Sequence, residues 1–166
     1  MTAPAGDAEL VHLLDAVFRT YHYDFRSYAE ASLRRRLAVA VTRFGVESLS
    51  ALEARVVQDP AAFTELLRYL TVQVSDLFRD PEYFRAIREQ IVPYLVTYAS
   101  LKVWVAGCST GEEVYSFAIV LREEGLLERT VLYATDINDA VLRVAEAGVY
   151  PLERMKAFTA NHQASG

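Results

Sequence analysis

The sequence predicts an α/β protein in which an all-helical N-terminal half precedes an incomplete parallel sheet, in strand–helix–strand–helix order. Three observations predict it. Apolar residues recur at three- and four-residue spacing from Leu10 to Leu95. Two short β-branched and aromatic runs follow, residues 102–106 and 130–134, each closing on a turn signal and leading into a helical pattern. Hydrophobic residues make up 52% of the 166, enough for a core and too many for a disordered chain.

The elements are justified in order. Leu10, Leu14, Val17, Phe18 and Tyr21 mark a first amphipathic helix, and Leu33, Leu37, Val41 and Phe44 a second from about residue 32 to 44. Ser50 with Glu53 has the form of a capping box and opens a third helix ending near Val57. Asp59-Pro60 is an N-cap followed by proline at the first helical position, before Phe63, Leu66, Leu67 and Leu70. Asp80-Pro81 repeats the signal and starts a longer helix through Phe84, Ile87, Ile91 and Leu95. Residues 102–106 then read as a buried strand, 107–111 as a tight loop and 112–124 as a helix. Residues 130–134 read as a second buried strand, and 138–147 as a helix closed by Gly148. A short helical segment (151–158) and a polar tail read as loop (159–166) complete the chain. Parallel sheets are covered on both faces and hold several strands, so two strands make an unfinished sheet. The expected division is a helical domain over 8–75, a connecting segment and long helix over 76–100, and the first part of the sheet domain over 101–166.

A net charge of −5 argues against general nucleic-acid binding, which requires a basic surplus. Cys108 is the single cysteine, so no intramolecular disulfide can form. The first residues lack the basic and apolar regions of a secretory signal, and no apolar run approaches a membrane span. A cytoplasmic protein is expected. His12, His22 and His162 show no ligand spacing, so no metal site is expected.

The loop Gly107-Cys108-Ser109-Thr110-Gly111-Glu112-Glu113 joins a strand to a helix N-terminus, where small residues let the backbone approach a ligand. A tight turn without a ligand would look similar. Two features narrow the choice. A phosphate-binding loop ends in Lys-Ser or Lys-Thr, whereas this one ends in two glutamates. Asp136 lies just past the second strand, where a carboxylate can accept the hydroxyl hydrogens of a ribose. A nucleoside without a pyrophosphate fits both, and S-adenosylmethionine is one. A dinucleotide-dependent oxidoreductase is disfavoured, because the loop lacks the second and third glycines of G-x-G-x-x-G. Upstream, Arg79 either pairs with Asp80 or Glu82 at a helix start or forks onto a ligand carboxylate.

With the segments 23–28, 32–37, Ser75-Asp76-Leu77-Phe78-Arg79-Asp80, the block from Val103 to Ser116, Ala134-Thr135-Asp136-Ile137 and Ala147-Gly148-Val149-Tyr150, the chain resembles the chemotaxis receptor glutamate methyltransferase family over nearly its whole length. The resemblance implies an N-terminal substrate-docking domain and a Rossmann-like class I methyltransferase sheet binding S-adenosylmethionine. It implies cofactor contacts at Gln73, Ser75, Arg79, Gly107, Gly111, Glu113 and Asp136, with Arg79 also near the methyl being transferred. Gln73 and Ser75 stand where the family usually has Asn and Thr, and Val114 where proline is usual. The family's later Asn-Leu pair and Cys-Arg-Asn strand are absent, so completion by a further segment or another chain is expected. On the second helix Arg35, Arg36 and Arg43 fall on one side. They form a solvated face or, as the resemblance implies, dock the glutamate-bearing helices of a cytoplasmic receptor region. A non-catalytic module that docks an acidic helical partner is the alternative reading.

Overall fold

The computed structural model describes residues 5–71 and 75–166. Two compact units divide between Val72 and Gln73. The first holds α1 (Ala5–Tyr21), α2 (Glu30–Phe44), α3 (Leu49–Gln58) and α4 (Pro60–Leu70). Leu13, Val17, Leu37, Leu52, Val56, Leu66 and Leu70, taken from all four helices, form its solvent-free centre. Tyr21 stacks on Phe63 with centroids 3.9 Å apart, and its hydroxyl donates to the Val56 carbonyl at 2.6 Å. Asp59 caps α4 through the Ala61 N–H. The cap of α3 is Ser48, which accepts the Ala51 N–H, and not Ser50, whose hydroxyl donates to Glu9 instead. The helix begins two residues earlier than the Ser50–Glu53 pairing suggests.

The second unit opens with α5 (Pro81–Ala86), a π-helical turn (Ile87–Ile91) and α6 (Val92–Leu95) in continuous succession. Pro93 accounts for the wide turn. It has no N–H to give, and the Val92 N–H reaches back five residues to Ile87. Asp80 does not cap α5 as expected: it sits at φ 56 and its side chain accepts no cap hydrogen bond. Its carbonyl takes the Tyr83 N–H instead.

The strands β1 (Leu101–Ala106) and β2 (Thr130–Thr135) pair in parallel, Leu101 opposite Thr130 through Ala106 opposite Thr135. Between them runs α7 (Glu112–Glu123), and α8 (Asp139–Ala147) follows, capped by Asn138 and closed by Gly148 at φ 61. Leu101, Val103 and Leu132 pack with Phe84, Val92, Phe117, Val120 and Leu121 to form the second core. The opposite face carries Lys102, Trp104, Val131 and Tyr133, all exposed, with Trp104 at 68%. The expectation that both strands are wholly buried is therefore corrected. Among the described residues only one face is covered, and alternate side chains point to opposite faces of a strand.

The polar tail is also corrected. Residues 159–164 continue the helix α9 (Met155–Ala164) rather than forming a loop. Its polar side chains look inward for partners: Asn161 donates to the Leu77 carbonyl at 3.0 Å, and the His162 ring lies 4.8 Å from that of Phe78.

Candidate functional site

The C-terminal ends of the strands set the loop. Gly107 at φ 75 turns the chain, and the N–H groups of Gly107 and Cys108 both donate to the Thr135 carbonyl, at 2.8 and 2.9 Å. Asp136 then clasps the loop to the end of β2, its two oxygens accepting the N–H groups of Ser109 and Asn138 at 2.9 Å each. Tyr150 holds the other side by donating to the Thr110 carbonyl at 2.8 Å. Each Asp136 oxygen keeps a further lone pair for an incoming hydroxyl.

The two glycines do different work. A Cβ on Gly107 would meet nothing within 4 Å, so open space lies beside the backbone there. On Gly111, at φ 93, a Cβ would stand 2.8 Å from that of Ala145. Gly111 lets α7 and α8 approach and borders an apolar hollow with Val114, Tyr115, Ala118 and Leu142. These helices are held together again where the Tyr115 hydroxyl donates to the Ala145 carbonyl.

Ser75, Arg79 and Glu113 meet at one cleft of about 290 Å³. Asp76, Asp80, Tyr83 and Phe84 complete its walls. Arg79 is aimed by its neighbour. Phe78, fully buried at φ 51, donates its N–H to Ser116 Oγ at 2.8 Å, and the Arg79 N–H closes a turn on the Asp76 carbonyl. Burial, and then the charge of Glu113, pushes the Tyr83 hydroxyl above its ordinary pKa, so it is a proton donor across the neutral range. Burial, followed by the charge of Asp136, likewise raises the Cys108 thiol, which argues against a thiolate nucleophile.

Adjacent in sequence, Glu112 and Glu113 part company in space. Glu113 is exposed at the cleft, whereas Glu112 is fully buried and paired with Arg154. A signal for this was available: Glu112, Ser116 and Val120 follow one another at four-residue intervals, the buried face of α7. Sequence reasoning missed Asp76, Tyr83 and Arg154. Of the remaining expected positions, Gln73 lies outside the described residues. Asp136 and Gly107 are tied into the loop and do not border the Arg79 cleft. In the first unit Arg35 and Arg43 are exposed on α2 around Val39, but Arg36 turns to the end of α4 and donates to the Leu70 carbonyl at 2.7 Å. That bond satisfies a C-terminal helix carbonyl and removes Arg36 from the open face. Among the described residues no group of metal-ligating side chains could hold an ion, and no helix is long and apolar enough to cross a membrane.

Residues 73–165 match the model for the CheR methyltransferase SAM-binding domain, and residues 8–71 match that for the CheR methyltransferase all-alpha domain. The chain belongs to the CheR methyltransferase family. A Pseudomonas putida protein named "Putative methyltransferase Cher3" is 51% identical over 160 residues, covering 96% of this chain and 59% of that protein. Chemotaxis protein methyltransferases of Listeria monocytogenes and Salmonella typhimurium are 26% and 33% identical, over 94% and 76% of this chain and 60% and 43% of theirs. The chain thus spans about three-fifths of the length of the first two of these relatives.

The methyl donor that such a domain identifies is S-adenosylmethionine. The residues present fit it. The cleft sets Asp80 and Glu113 against one guanidinium, Arg79, while a third carboxylate, Asp76, is already paired with Arg154. That balance suits a methionyl group whose ammonium and sulfonium outweigh its single carboxylate. The open backbone at Gly107 and the spare lone pairs of Asp136 suit an uncharged sugar.

Proposed function

We infer that the chain forms the docking and cofactor-binding portion of a protein-glutamate O-methyltransferase acting on the cytoplasmic helical region of chemoreceptors. The observation that carries this reading is the meeting of Ser75, Arg79 and Glu113 on one cleft beside a glycine loop without a lysine. Bound S-adenosylmethionine supplies a methyl group activated by its sulfonium. Arg79 pairs with the methionyl carboxylate and Glu113 with the ammonium, each as a charge-assisted contact. Asp136 receives the ribose hydroxyls, and Gly107, Gly111 and Ser75 give the ligand close backbone and hydroxyl contact. Gln73 belongs to the same proposed set by sequence position.

No strong general base is needed. A receptor glutamate with a pKa of about 4.3 is ionised at neutral pH, so the protein's contribution is alignment and charge placement. Arg79 lies at the cofactor's reactive end in this reading and steadies the approaching carboxylate. Arg35 and Arg43, exposed on α2, would steer an acidic helix towards the protein. The product ester removes one negative charge from the receptor helix.

Calorimetry with S-adenosylhomocysteine tests the binding half of the reading: the chain takes it up, and E113Q and R79M weaken it. Incubation with labelled cofactor and receptor fragments tests the transfer half, read as base-labile methyl ester. Absence of heat with S-adenosylhomocysteine would remove the cofactor assignment.

A further inference from the structure

Arg154 bridges several groups near the candidate cleft, yet it does not line it. Its Nη1 donates to Glu112 Oε1 at 2.7 Å, and Glu112 is fully buried in the first turn of α7. Its Nη2 donates to Asp76 Oδ1 at 2.7 Å and to the Ser75 carbonyl. The guanidinium also lies over the Phe158 ring of α9, 4.7 Å from the centroid. The other oxygen of Glu112 accepts the Thr110 hydroxyl at 2.6 Å, which carries the connection into the glycine loop.

These contacts join the two stretches that furnish the cleft. The Ser75–Asp76 stretch leads through the turn closed by the Arg79 N–H on Asp76 to the Arg79 side chain. Glu112 precedes Glu113 on α7. We propose that Arg154 is a positioning residue for cofactor binding, acting through Glu112 and Asp76 to fix the distance between the Arg79 and Glu113 walls. The proposal rests on the cofactor assignment of that cleft. The planar fork of arginine is needed, because one cation must reach two carboxylates and a carbonyl from a stacked position, which a lysine ammonium cannot reproduce. Small displacements of such walls cost much affinity, since ligand groups held by fixed charges tolerate little misplacement.

A purely structural role, neutralising buried Glu112, makes a different prediction, and a double variant separates the two. R154M leaves a buried carboxylate unpaired and is expected to lower stability. E112Q/R154M removes that charge and recovers much of the fold stability, but the tether to Ser75 and Asp76 stays broken. S-adenosylhomocysteine affinity and amide hydrogen exchange across residues 76–79 are measured on the full 166-residue chain. Positioning predicts that the double variant, although folded, binds at least about tenfold more weakly. It also predicts faster exchange at 76–79 and only partial rescue by R154K. A double variant that matches the parent in both affinity and exchange overturns the proposal. If the parent itself fails to bind, the cofactor assignment falls, while unchanged exchange in the double variant would still refute the tether.

Discussion

Replacing Ser116 by alanine removes one oxygen and should unsettle the candidate site. Ser116 Oγ accepts the Phe78 N–H at 2.8 Å and donates to the Glu112 carbonyl at 2.7 Å, and both Ser116 and Phe78 are fully buried. Stranding a buried N–H costs about 1–3 kcal/mol. Alanine's better helix propensity returns roughly 0.5 kcal/mol of that. The Glu112 carbonyl can still accept the helical N–H four residues on, so loss of the second bond adds little. The net cost is about 0.5–2.5 kcal/mol. For a unit of this size, that lowers the melting temperature by roughly 4–8 °C per kcal/mol. Phe78 also sits at φ 51, where an L-residue is strained, so the bond restrains a conformation the backbone would otherwise leave. Exchange at the Phe78 amide should therefore accelerate by about 2- to 70-fold. Residue-resolved hydrogen exchange is the preferred assay, because a chain of two units need not melt in one step. A stability change within about 0.5 kcal/mol, together with unaltered protection at Phe78, would refute the reasoning.

Four further outcomes are expected. G107A meets no neighbour and pays mainly for its left-handed φ, about 1–2 kcal/mol, yet it narrows the ligand approach and should weaken S-adenosylhomocysteine binding by calorimetry. G111A puts a methyl 2.8 Å from Ala145 Cβ and 3.0 Å from its Cα, so thermal unfolding should show the larger loss of the two. In the first unit, Y21F keeps the ring stack on Phe63 but deletes the bond to Val56, costing about 1 kcal/mol in denaturant titration followed by a probe of that unit. Hydrogen bonds from the Arg26 side chain and backbone hold the Asp24 carboxyl down at about 2. Because the folded pKa lies below the unfolded one, this contribution is complete above pH about 4 and is lost as pH falls towards the folded value. D24N should flatten the acid limb of stability between those limits.

The two-part architecture was legible because the hydrophobic period changes from helical to strand-like between Leu95 and Val103, and because Asp59-Pro60 and Gly148 punctuate the helices they bound. The loop and its neighbours were legible for a local reason: a strand, a glycine turn and a helix start lie consecutively in sequence. What could not be read depends on contacts between distant positions. Arg154 meets Asp76 from 78 residues away, and nothing in either local pattern announces the pairing. The buried fate of Glu112 was concealed by reading the two glutamates as one charged unit, although neighbours on a helix point about 100° apart. The tail was misread because Asn161, His162 and Ser165 satisfy their polar groups within the fold. Composition alone makes such residues look like solvent-facing loop.

Trp104 is the single tryptophan, on the open side of the sheet, with its indole N–H donating to the Thr135 hydroxyl at 2.9 Å. This gives the molecule a built-in optical gauge. Its emission should sit at the red end typical of a wet indole, and anything that settles over Tyr133 and Val131 should shift it to the blue and shield it from soluble quenchers. Since Thr135 immediately precedes Asp136, the same fluorophore is wired by one hydrogen bond and one peptide unit to the carboxylate that clasps the glycine loop. Changes at the loop can therefore be followed without a label.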